Sequence, residues 1–153
     1  MRPLASVVLA ALLLAPAAVA AQAQGELEAA QLEAETARTE VITKNLPLTP
    51  QEEQAFWPVQ RQYRAEMRKL NDRAIGMLKQ FAENYDALTD AQAKTLLDES
   101  LKLADARVKL QKSYAGKVSK ALPPQKALRY WQIENKMDAV VAMGAARMVP
   151  LAK

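Results

Sequence analysis

The sequence predicts an all-α fold, an elongated antiparallel helical hairpin with four helices. Three observations predict it. Val, Ile and Thr never alternate with polar residues over a useful window, so strand signals are absent. Apolar residues instead recur every three to four positions over long stretches. The four Gly and eight Pro are few enough to punctuate helices. The three clearest breaks are Asn45-Leu46-Pro47-Leu48-Thr49-Pro50, Asn84-Tyr85-Asp86-Ala87-Leu88-Thr89 and Leu122-Pro123-Pro124.

The chain opens with Met1-Arg2 and an uncharged run from Pro3 to Ala23 whose apolar heart is Leu4 to Ala15. Small-x-small sites follow at Ala18-Val19-Ala20 and Ala21-Gln22-Ala23. A basic start, a short apolar stretch and an Ala-x-Ala site describe a secretory signal peptide over 1–23, cleaved after Ala20 or Ala23. The apolar core is short for a membrane anchor and no positive cluster follows it. A periplasmic location is therefore expected, which disfavours nucleic acid as a partner despite a basic chain.

Residues 24–45 form an acidic N-terminal helix candidate, helical over Glu26–Thr43. Five Glu stand there against Arg38 and Lys44, and its large apolar residues are few (Leu27, Leu32, Val41, Ile42). Residues 46–153, the expected hairpin domain, are basic, with 18 Lys and Arg against 12 Asp and Glu. The acidic arm is either a solvated helix face or a shield over a basic surface.

The second helix starts with Thr49 as N-cap, Pro50 at the first position and Glu52 three residues on. This is a capping box with proline where a missing N–H costs nothing. Phe56, Val59, Tyr63, Met67, Leu70, Ala74, Leu78, Phe81 and Tyr85 then recur at about the helical period. Pro58 inside this helix removes the bond to the Gln54 carbonyl and is expected to bend the axis. The third helix repeats the signal, with Thr89 as N-cap and Gln92 three residues on. It carries two apolar rows. One is Leu97, Leu101, Ala104, Val108, Ala115, Val118 and Leu122, with Gln111 in one slot. The other is Leu96, Leu103 and Leu110 with Tyr114. One row is expected to pack on the second helix while the other faces something else. The fourth helix begins near Pro124, carries Ala127, Leu128, Tyr130, Trp131, Ile133, Met137, Val140, Val141, Gly144 and Met148, and ends at Val149-Pro150.

Residues 50–86 as a helix reach roughly 55 Å and residues 89–121 roughly 50 Å. A short turn makes them an antiparallel hairpin. Two remaining helices cannot cover every apolar face of a hairpin that long. Exposed apolar patches mark partner surfaces, which points to dimerisation, client binding, or both.

The missing residue types exclude much chemistry. No Cys means no disulfide, thiolate metal site or thiol nucleophile. No His removes the Ser-His-Asp triad and imidazole ligation. Met137, Met143 and Met148 do not share a face, and the pairs Glu52-Glu53 and Asp98-Glu99 diverge on a helix. No Gly-rich phosphate loop is present. The expectation is a non-enzyme without cofactor or metal.

Leu88-Thr89-Asp90-Ala91-Gln92 reads LTxxQ, and Leu48-Thr49-Pro50-Gln51-Glu52 differs only in its last residue. Two such boxes in a signal-bearing helical chain resemble the Spy/CpxP (LTxxQ) family of periplasmic proteins. The likeness covers roughly residues 46–125 and carries over Leu48, Thr49, Leu88, Thr89 and Gln92 as structural residues; Glu52 keeps the capping function. It implies a helical hairpin in a cradle-shaped antiparallel homodimer. It also implies either ATP-independent chaperone action or an accessory role in envelope-stress signalling. The stretch Leu122–Val141 resembles that of exported helical proteins.

Arg61, Arg64 and Arg68 form a basic row, and Arg61 stands about 200° round the helix from Tyr63. A solvated face accounts for such a row; the functional reading is attraction of acidic clients or anionic lipid heads. A second basic region, Lys109 to Arg129, suits the helix C-terminal dipole. The expected client surface is therefore Arg61, Arg64 and Arg68 with Leu96, Leu103 and Leu110. The expected partners are partly unfolded envelope proteins, with a second copy of the chain and peripheral membrane contact beside them. The alternative is a regulatory or structural adaptor that docks on one specific envelope partner.

Overall fold

The computed structural model describes residues 32–153, so the expected signal peptide and the start of the acidic helix lie outside the described residues. The chain divides into two compact units, the second beginning at Asn45. The helix α1 covers 32–45, and all but its last residue belong to the first unit. Its Thr36 and Thr39 hydroxyls donate back to the Leu32 and Glu35 carbonyls.

The second unit holds α2 (Pro50–Asn84), a 3-10 turn (Tyr85–Ala87), α3 (Asp90–Ala121) and α4 (Pro124–Met148). No strand occurs among the described residues, and the all-α expectation holds. Both capping boxes form. The Thr49 hydroxyl accepts from the Glu52 N–H at 3.3 Å while the Glu52 carboxylate accepts from the Thr49 N–H at 2.7 Å. Thr89 and Gln92 repeat the exchange at 3.3 and 3.0 Å. Two donors left orphaned at each helix start are thereby satisfied. Glu52 also meets Lys126 of α4 at 2.5 Å. That ammonium first, then the Thr49 N–H, holds the Glu52 carboxyl below its usual value. The helix α2 continues through Pro58 without a break.

The two long helices run antiparallel. As α2 advances through Tyr63, Met67, Asn71 and Arg73, its partners in α3 step back through Tyr114, Arg107 and Glu99. The core between them centres on Tyr63, Met67 and Tyr114, with Val59, Leu70, Leu110 and Trp131 packed against it. The Tyr114 hydroxyl donates to Glu66 at 2.6 Å, and Arg107 donates to Asn71 at 2.8 Å. Aromatic rings join α4 to α2. Tyr130 meets Phe56 edge-on at 4.9 Å, and Trp131 meets Tyr63 at 5.2 Å. Beyond α4 the chain returns to the hairpin turn, where the Tyr85 hydroxyl donates to the Leu151 carbonyl and Lys153 pairs with Asp86.

Candidate functional site

The described residues contain no group of three or more acidic side chains placed to hold a metal ion. No described helix is long and apolar enough to cross a membrane. An open recess of about 410 Å³ is lined by Gln51, Glu52, Ala55, Lys120, Ala121, Leu122 and Pro123. Its one acid is already engaged by Lys126, so the recess has no acid–base pair to offer.

The expected client surface is not one surface. Arg64 is buried and faces Glu134 of α4 at 3.7 Å, with Glu134 itself fully buried. Arg61 and Arg68 are exposed. The row breaks because Arg64 lies only about 100° from Tyr63 on the helix, and α4 covers that flank. A cation with its own buried acid cannot greet a client.

The leucines are a second correction. Leu103 is buried, Leu96 is half-buried, and Leu110 packs against the core. The open row is the other one: Leu97, Leu101 and Val108 are 59, 61 and 46% exposed. The two rows lie about 120° apart on α3. The row that faces α2 is the one that carries Tyr114, the only aromatic side chain of α3. An aromatic ring brings the largest apolar area to a contact, and Tyr114 meets Tyr63 at 5.4 Å with the rings tilted by 51°. That ring was the signal in the sequence that separates the two rows.

Residues 139–147 of α4 are exposed on every side. They span about two and a half turns, so every azimuth of the helix is represented. Between Asp138 and Arg147 the sequence AVVAMGAA carries no polar side chain. Val140, Val141 and Met143 are 70, 66 and 57% exposed. A Cβ built on Gly144 would meet nothing within 4 Å. A helix apolar all round is normally buried, and this one is not. Val140, Val141 and Gly144 belong to the apolar set of the fourth helix, and no described residue covers them.

A buried polar cluster lies where α4 meets α2. The hydroxyls of Tyr63 and Tyr130 and the indole N–H of Trp131 are buried, with Gln111 beside the Tyr63 hydroxyl and Glu134 beside that of Tyr130. Burial pushes the Tyr63 phenol up to about 12, and the Glu134 charge adds to it. Burial and Glu134 push Tyr130 further up. Phenols held neutral around an Arg–Glu pair do not make a nucleophile or a proton shuttle near neutral pH. They fix how α4 sits on α2.

No family model, curated protein or solved structure matches this chain.

Proposed function

We propose that this protein is a non-enzymatic, ATP-independent binder of partly unfolded polypeptides, acting in the cell envelope after export. The observation that carries the reading is the α4 segment 139–147, uncharged from Ala139 to Ala146 and exposed on every side. Leaving such a helix bare forgoes about 1.5–3 kcal/mol for each large apolar side chain that burial would gain. That deficit becomes a gain only when another molecule covers the helix. An all-round apolar surface has no single complementary face, which suits partners of variable sequence. Met143 adds a flexible, polarizable contact of the kind promiscuous surfaces use. Lys136 precedes the segment and Arg147 closes it, and Arg61 and Arg68 stand exposed on α2. These cations draw in acidic clients, and the apolar contacts then hold them without fixed geometry.

The test is aggregation of an unfolded model protein followed by light scattering, without ATP. The chain at several-fold molar excess is expected to slow it. A triple variant, Val140→Ser, Val141→Ser and Met143→Ser, is expected to lose that effect while keeping its helix content. An inert wild-type chain overturns the reading, and an equally active triple variant removes α4 from it.

The one-sided open row of α3 favours a second reading, an adaptor for one specific envelope partner. It predicts a single saturable partner in crosslinking pulldowns instead of a broad spectrum.

A further inference from the structure

The α3 row is a different kind of surface from the α4 segment. Leu97, Leu101, Ala104, Val108, Gln111, Ala115, Val118 and Leu122 are spaced alternately four and three residues apart. That is the unbroken seven-residue repeat of a helix that packs along one seam. One end of the seam is already used. Where α3 turns into α4, Val118 and Leu122 are buried, together with Ala127 and Tyr130 of α4. The other end, Leu97 to Val108, is bare, and its residues keep the same stripe within an arc of about 60°. The open stretch thus continues an interface in which α3 already receives a helix.

We propose that the bare stretch docks an amphipathic helix of a client polypeptide, one whose apolar residues follow the same four-three spacing. This rests on the client-binding reading above and names the class of segment taken. The axial spacing of the seam residues averages about 5 Å, the value for a helix packed on a helix. Same-face side chains of an extended chain recur at about 7 Å and fall out of step within two contacts. Ala104 leaves a gap between Leu101 and Val108 that a large partner side chain fills. The rim is neutralised within α3, since Lys94 pairs with Asp98 and Lys109 with Asp105, each at 2.7 Å. The stripe therefore selects on apolar spacing more than on charge.

The experiment titrates the full mature chain into a fluorescently labelled helical peptide with leucine at four-three spacing, read by anisotropy. An isomer of identical composition with leucines at alternate positions is the comparison. The helical peptide is expected to bind about tenfold more tightly than its isomer or better. Leu101→Lys, at an exposed position that leaves the core intact, is expected to weaken the helical peptide at least about tenfold. Lys79→Ala, at an exposed position of α2 outside both bare regions, is expected to leave it unchanged. Equal binding of the two peptides overturns the proposal, as does a Leu101→Lys variant that binds like wild type. Sedimentation velocity of the same samples identifies the other occupant. A dimer that Leu101→Lys dissociates, with no peptide bound by either form, assigns the stripe to a second copy and overturns the proposal. Failure here with aggregation suppression intact leaves the client-binding reading standing; loss of both removes the two together.

Discussion

At the scale of single residues, Arg64 and Glu134 show how burial reverses the meaning of a charge. In the sequence Arg64 is one of three cations in a row. In the fold it is buried opposite a fully buried acid, 3.7 Å away. Such a pair contributes little net stability, because desolvating both ions offsets most of their attraction. Breaking it is another matter. Glu134→Ala leaves the Arg64 cation buried without its acid and is expected to cost about 3–5 kcal/mol in urea unfolding. Glu134→Gln keeps the volume and some hydrogen bonding and is expected to cost less. An unchanged midpoint for Glu134→Ala would mean that the pair does not hold α4 in place. Glu134 was not legible beforehand, since nothing in IENK separates a buried glutamate from a solvated one. Its partner emerges only once α4 lies beside α2.

At the scale of elements, the helix limits were legible and the choice of faces was not. Thr49 with Glu52 and Thr89 with Gln92 mark helix starts because a hydroxyl and an acceptor three residues on satisfy orphan N–H groups locally. Each such cap contributes about 1 kcal/mol. Local chemistry of that kind is written in adjacent residues. Which row of α3 meets α2 depends on the partner helix, and both rows have apolar spacing. The tyrosines decide it and then hold the elements together. Tyr63 and Tyr114 join α2 to α3, and Tyr130 carries α4 onto Phe56. Burial holds the Tyr63 and Tyr114 phenols up to about 12, and Tyr114 also donates to Glu66. The folded state therefore keeps these protons more tightly than the unfolded chain, whose phenols ionise near 10. The stability this brings is complete below pH about 10 and falls as pH rises towards 12. Tyrosinate absorbance and far-ultraviolet dichroism are expected to change together above pH 10. Ionisation of all four tyrosines with the dichroism unchanged would show that the phenols do not join the helices.

At the scale of the whole molecule, what matters is how much apolar surface the second unit leaves uncovered. The fold class followed from periodicity because helices of this length carry their pattern over many turns. The open surfaces did not, because a sequence shows which residues are apolar and not which of them the chain's own partners will cover. Leu97, Leu101 and Val108 on α3, and Val140, Val141 and Met143 on α4, are apolar in the sequence and lie outside the core. Arg61 and Arg68 read as surface and are. The two bare regions differ in form. One is a single stripe in helical register, and the other is apolar all round. Among the described residues the core around Tyr63, Met67 and Tyr114 leaves both regions uncovered, and the proposed function assigns them to clients.

Under the proposed function, unfolded clients bind through those bare regions. Photo-crosslinking tests it most directly, with a photoreactive residue placed singly at Leu101, Val141, Arg61 or Lys79 and an aggregating client added. Strong client adducts are expected from positions 101 and 141, weaker ones from 61, and none above background from 79. Adducts concentrated at 61 with none from 101 or 141, or no adducts at any position while the client aggregates unhindered, would contradict it.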